Sequence, residues 1–222
     1  MRDITDVIAS ATKFGRGAIG DAVVAWDGDE AYCLSFDRTV IFRAKGVTPR
    51  TGPVVFRACD FEGPDCENRG DKVVFRVKKG RSSAEVIVPA PPVTFSGLKG
   101  LFDKYASGLD LDSLPFVILG EDIKALLADD LPHVEVGWSP SPFVRQRDIY
   151  QGKSVTIEAK GEGSGGPLAI RLDDLSALYS LCGGQLKLYN CGEVFLARAP
   201  GIDAVVGGCT YDTLSILREA ER

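Results

Sequence analysis

The side chains able to do chemistry are few and poorly grouped. His133 is the one histidine of the chain, so a multi-histidine metal site is impossible and acid–base catalysis by imidazole would rest on a single group. It stands in LPHVEVGW at the start of a predicted strand, where an edge or surface histidine is expected. Six cysteines occupy positions 33, 59, 66, 182, 191 and 209 and form no CxxC pair, so reduced thiols without zinc are expected. Asp129-Asp130 and Asp173-Asp174 are adjacent carboxylates, which point apart on a helix. Asp110 and Asp112 lack the glycine and distal glutamate of a calcium loop. The glycine-rich run GEGSGGP (161–167) lacks the Lys-Ser/Thr and following helix of a phosphate loop, and reads as a hairpin loop. The expectation is a protein with no catalytic residue, no metal and no cofactor.

These residues sit in 222 residues with 45% hydrophobic content, enough for two domains of about 100 residues. The formal net charge of −5 excludes a generally basic nucleic-acid binder, so any DNA contact must be local. No stretch approaches the roughly 20 apolar residues that span a bilayer. No apolar signal segment opens the chain, and a cytoplasmic protein is expected.

The elements that position these residues repeat. TVIFRAKG (39–46) resembles SVTIEAKG (154–161), and GPVVFR (52–57) resembles GPLAIR (166–171). VVAW (23–26) matches EVGW (135–138), and these hold the only two tryptophans. Farther on, GDKVVFRVKKG (70–80) faces GGQLKLYNCGE (183–193). Collinear matches at a nearly constant offset indicate two copies of one unit.

Each copy opens on a helical stretch: 3–14, with Ile4, Val7, Ile8 and Ala11 at helical spacing, and 120–130, with Ile123, Leu126 and Leu127. β-type runs follow at 21–26, 31–36 and 39–45, and at 133–138, 143–149 and 153–160, of which 39–44 and 154–159 alternate apolar and polar. Asp27-Gly28 marks a hairpin. After a further strand (53–58; 167–171), copy two carries a helix ended by Gly183-Gly184. Gly63-Pro64 leaves copy one at most a turn of helix at that place. Paired strands at 72–78 with 83–88, and at 185–190 with 193–198, close the units. The expected fold class is α+β, two tandem copies of a sheet with two short helices on one face. The expected domains are 1–91 and 117–212, with a linker at 92–116 and a tail at 213–222.

This organisation resembles the DNA polymerase sliding clamps, in their two-domain protomer form, across nearly the whole chain. The resemblance rests on architecture and repeat, and VVFRVKKGRSSAEVIVP is similar to the family's antiparallel strand pairs. It implies a non-enzymatic processivity factor, closed as a homotrimeric ring around duplex DNA. Weak, sequence-independent phosphate contacts would let it slide. The DNA-facing cations would be Arg2, Lys13 and Arg16 around the first helix, Arg57 and Arg171 at equivalent strand ends, and Lys124. The family's peptide groove lies beneath the interdomain linker, whose apolar set here is Leu98, Leu101, Phe102 and Tyr105, at helical spacing. Those residues could equally seal the domains. Polymerases and clamp-loader-type proteins are the implied partners, and no membrane is. The copy-two helices GEDIKALLADD and LDDLSALYSLCG carry more acid than base, which leaves a second reading: a clamp-shaped adaptor for protein partners that never encircles DNA.

Overall fold

The computed structural model describes residues 2–14, 22–35, 39–80, 82–121, 133–138, 140–148, 153–164 and 167–210. The chain divides into two compact units, residues 1–107 with 201–203, and 108–200 with 204–222.

In the first unit, β1 (Arg2–Asp3) leads directly into α1 (Ile4–Ala11). Asp3 caps the helix, its Oδ1 accepting from the Thr5 N–H at 2.7 Å, and Ile4, Val7, Ile8 and Ala11 are buried. Next come β2 (Val23–Gly28), β3 (Glu30–Leu34), β4 (Val40–Lys45), β5 (Val47–Thr48) and β6 (Thr51–Arg57). β1 and β5 pair in parallel, while the others form an antiparallel sheet that includes the order β4-β3-β2-β6. Asp27 pairs with Glu30, so the β2–β3 turn is Gly28-Asp29, with Gly28 at φ +58° as a two-residue hairpin demands. A 3₁₀ turn at Ala58–Asp60 stands where a second helix could have formed.

A separate meander follows: β7 (Cys66–Arg69), β8 (Lys72–Lys79) and β9 (Ser82–Pro89). It packs through an aromatic cluster in which Phe56 and Phe75 meet edge-on at 5.6 Å. Then α2 (Phe95–Ala106) lies on the four-stranded sheet, so helix α2 counts with the first unit and the segment 92–116 is divided at Ser107/Gly108. The sheet is thereby buried on both faces. Val24, Cys33, Phe42 and Phe56 line one, with Phe14 beyond α1 against Phe42 at 5.5 Å. Ala25, Tyr32, Arg43 and Val55 line the other, with Phe95 and Phe102 of α2 edge-on to Tyr32 at 5.3 and 5.8 Å. Double burial is why these strands read as apolar runs. The expected single sheet is therefore corrected: the first unit holds the four-stranded sheet and a separate meander, with α1 in contact with the 3₁₀ turn at Ala58–Asp60, and α2, from the expected linker, on the opposite face of the sheet from α1.

The second unit has a 3₁₀ turn at Leu111–Ser113 and then β10 (Phe116–Leu119), β11 (His133–Gly137), β12 (Phe143–Asp148), β13 (Lys153–Glu158), β14 (Lys160–Glu162) and β15 (Leu168–Arg171). The chain continues with α3 (Leu172–Leu181), β16 (Leu186–Asn190), β17 (Val194–Ala199), β18 (Ile202–Gly207, in this unit from Ala204) and β19 (Cys209–Thr210). The order β13-β12-β11-β15 repeats the order β4-β3-β2-β6 of the first unit, and β19 adds at its end. The second sheet runs β14-β10-β16-β17-β18. Trp26 and Trp138 are both buried, Trp138 against Phe195 of β17 at 6.4 Å. Helix α3 ends as read from the glycine pair. The N–H groups of Gly183 and Gly184 donate to Ser180 and Tyr179 carbonyls, with both glycines at positive φ.

Three strands had no clear signal. β7 (CENR) is mostly polar, β14 (KGE) has no apolar side chain, and β10 (FVIL) falls across the expected linker boundary. The meanders also correct the alignment of the repeat. β8 is the middle strand of its meander and β17 the middle of β16-β17-β18, so β8 corresponds to β17 and not to the 183–193 segment. The cause is the ten-residue α3 where the first unit has a three-residue 3₁₀ turn.

Candidate nucleic-acid and partner interfaces

The buried stripe of α1 leaves Asp3, Thr5, Asp6, Ala9 and, just past the helix, Lys13 exposed. A cation beyond a helix C-terminus is favourably placed against the helix dipole. Among the described residues this exposed face nevertheless carries two carboxylates against one lysine. Arg2 is half-buried on β1, where its N–H donates to the Gly46 carbonyl at 3.0 Å. Arg16 and Lys124, and with them the expected copy-two helix at 120–130 beyond Glu121, lie outside the described residues.

Arg57 and Arg171 occupy matching places, at the ends of β6 and β15, and each grips the carboxylate three residues on. Arg57 Nε and Nη2 donate to Asp60 at 2.8 and 3.5 Å. Arg171 Nε and Nη2 donate to Asp174 at 2.8 and 3.0 Å. Asp174 is only 1% exposed, whereas Asp173 beside it faces solvent. Two-pronged guanidinium–carboxylate pairing at a helix start satisfies both charges locally. Each arginine fastens a strand to the turn or helix that follows. Asp174 lies in the first turn of α3.

His133 begins a central strand, in register with Arg171, and not an edge strand. Gly161 and Gly163 of GEGSGGP have a packing reason. A Cβ on Gly161 would come within 2.1 Å of the Phe116 carbonyl oxygen, and one on Gly163 within 2.5 Å of Pro115 Cα. They let β14 approach β10 closely. No group of three or more His, Cys, Asp or Glu among the described residues could hold a metal. Cys33, Cys59, Cys66, Cys182 and Cys191 are not in disulfide bonds.

The linker's apolar set divides by helical geometry. Leu98 and Phe102 are buried in the first unit. Arg43 stacks on the Phe102 ring at 5.0 Å from its centroid and pairs with Asp203. Leu101 and Tyr105 are 37% and 38% exposed. So Leu98 and Phe102 seal α2 onto its sheet, and Leu101 and Tyr105 alone remain open to a partner. The linker also forms a groove that the sequence reading missed. An open recess of about 690 Å³ lies between Pro53 and Val55 of β6, Asn68 of β7, and the strap Pro91, Pro92 and Phe95. Asn68 Nδ2 donates to the Pro53 carbonyl at 2.7 Å and fixes its floor. The available signal was the run PAPPV, which is stiff and extended.

No protein-family model and no curated protein matches this sequence. Solved structures match its fold. A protein of Eubacterium rectale assigned as DNA polymerase III β subunit superposes with a TM-score of 0.64 at 12% identity, covering 95% of this chain and 64% of that one. The β subunit of Borrelia burgdorferi gives 0.62 at 10% identity, over 93% of this chain and 62% of that one. The sliding clamp of Bacillus subtilis gives 0.59 at 14%, over 92% and 62%. The fold is that of the DNA polymerase sliding clamps. This chain spans under two thirds of the length of the bacterial proteins it matches.

Proposed function

We propose that this chain is a non-enzymatic, sliding-clamp-like processivity factor. Copies join head to tail into a ring around duplex DNA, to which polymerases and loader-type proteins are tethered. The observation that carries it is the clamp fold over 92–95% of the chain. Two unfinished sheet edges support the ring. β9 is the last strand of its sheet, and every one of its residues is exposed or half-buried, with Ile87 at 56%. β13 is the last strand of its own, with Val155 at 42%. Long apolar edges template further pairing unless another strand covers them. Two different edges make a heterologous contact, which closes a ring when the rotation permits. With two units per copy, six units need three copies.

A second reading has its own support. Arg57 and Arg171 are spent on carboxylates, and the exposed face of α1 is more acidic than basic. Both favour a clamp-shaped adaptor that does not encircle DNA. Light scattering with a circular-DNA retention assay separates the two. A particle of three times 23.8 kDa that stays on closed circles and leaves linearised ones is the processivity factor. A monomer that never stays on circles is the adaptor.

A further inference from the structure

We propose that the outer face of the β7-β8-β9 meander is a docking surface for an acidic protein segment that seats one apolar side chain on Ile87. The proposal does not depend on the ring, because pairing at a strand edge uses backbone groups and not this face. β8 presents Lys72, Val74, Arg76 and Lys78 on one side, since alternate residues of a strand share a face. Ile87 of β9 stands opposite Val74, and Glu85 opposite Arg76, while Glu67 of β7 flanks Val74 from the other side. The intervening Phe75 points the opposite way, against Phe56. Val74 is 1% exposed, whereas Ile87, at 56%, is the most open large apolar side chain among the described residues.

The charges of this face fall into two sets. Around Ile87 they close on themselves. Arg69 pairs with Glu67 at 2.7 Å and Glu85 at 3.1 Å, and Arg76 pairs with the same two at 2.6 and 3.7 Å. Asp65 is also spent on Arg76, at 3.3 Å. Such a cycle holds four long side chains in place before a partner arrives, which lowers the ordering cost of association. The second set lies at the two ends of β8. Lys72 is opposite Pro89 and Arg69, and Lys78 is opposite Ser83. Both are exposed, and no described carboxylate pairs with either. They stand six residues apart along the strand, about 20 Å. The unpaired charge of the face is therefore positive at each end, and its complement is a segment with a carboxylate toward each end and an apolar side chain between. An apolar anchor ringed by polar contacts that exclude water is the pattern of a protein-binding hot spot. Phosphates suit the face poorly, because its arginines are already paired and an isoleucine lies between the two free lysines.

The test selects a displayed library of random twelve-residue peptides on the wild-type protein. Fluorescence anisotropy then compares the enriched peptides on wild type, I87D, I87T, K72E/K78E and, as a control on the open face of α2, L101A/Y105A. Ile87→Thr keeps a β-branched side chain, so the strand is preserved even if the aspartate weakens it. The enriched peptides should carry carboxylates on both sides of an aliphatic or aromatic residue. They should bind about tenfold more weakly to both Ile87 variants and to K72E/K78E, bind L101A/Y105A as they bind wild type, and weaken with added salt. No enrichment, enriched peptides without net acid, or binding that survives I87D and I87T each overturns the proposal. DNA that displaces the peptides and binds wild type and I87T alike makes the face a phosphate site and overturns it too. So does a smaller particle for I87T than for wild type in light scattering, which makes the face a joint between copies.

Discussion

Arg171 and Arg57 make the same contact with different consequences. Asp174 is almost wholly buried, and Arg171→Ala removes its two-pronged partner. A loss of about 3 kcal/mol is expected, seen as a lower urea midpoint, because a buried carboxylate deprived of its cation is costly. Arg57 and Asp60 are 44% and 16% exposed, so Arg57→Ala costs about 0.5 kcal/mol. Asp3 carries a pH dependence. The hydrogen bond from Thr5 holds its carboxyl below the ordinary value of 3.8. Its contribution is therefore complete above about pH 4 and fades as pH falls through the lowered folded value. Asp3→Ala should cost about 1 kcal/mol at neutral pH and give a flatter acid-unfolding profile below pH 4, measured by circular dichroism. Thiol reactivity follows burial. Desolvation pushes the Cys33 thiol far up and Cys66 up to about 11, while Cys59 is exposed. Ellman's reagent should label Cys59 in the native protein, and Cys33 and Cys66 only after unfolding.

Among the elements, α2 separates structural from available side chains. Phe102→Ala opens a cavity beneath the helix and beside Tyr32 and Arg43, at a cost of about 3–5 kcal/mol. Leu101→Ala and Tyr105→Ala each stay within about 0.5 kcal/mol of wild type. If those two weaken capture of a polymerase-derived peptide without moving the unfolding midpoint, the open face of α2 is part of the partner site. The edge strands carry a register argument. Residues directly opposite in a ladder share a face. β9 presents Ala84, Val86 and Val88 on the face of Val77, Phe75 and Val73, and β13 presents Val155 and Ile157 on that of Gln146 and Val144. A ladder between copies should set Val86 opposite Val155 or Ile157, since a one-residue slip would turn Thr156 and Glu158 toward the core. In a Cys59→Ser background, oxidation should crosslink V86C to V155C or I157C, and not V86C to T156C, as read on a non-reducing gel.

At the scale of the whole molecule, charge decides what the fold is used for. With Arg57 and Arg171 paired internally, the local positive charge that a chain of net −5 needs for DNA must come from elsewhere. On the clamp reading, Lys13→Glu is accordingly expected to lower retention on circular DNA only modestly, at matched ionic strength. Ring closure should be sensitive to both edges and indifferent to stability. Val155→Lys, on an already exposed position, should abolish the larger particle in light scattering while leaving the unfolding midpoint of the monomer in place.

What the sequence determined by itself is the local grammar. Short apolar or alternating runs located most strands, Gly183-Gly184 located the end of α3, and the helical spacing of Leu98, Leu101, Phe102 and Tyr105 located the helix in the linker, because those signals act within a few residues. The recurrence of VVAW in EVGW and of GPVVFR in GPLAIR fell within strands that take the same order in both units. Past those strands the offset broke, since a three-residue turn replaced a ten-residue helix. Tertiary structure alone decided the rest. β7 and β14 exist through their ladder partners and have little propensity of their own, whereas β10 is strand-prone but lies across the expected linker boundary. The sequence presents Arg57 and Arg171 as free cations; only the backbone turn after each strand brings Asp60 and Asp174 within reach of the guanidinium. Which apolar residues of α2 stay exposed, and which strands are left as edges, depend on what covers each surface, and that is settled by packing between segments far apart in the chain.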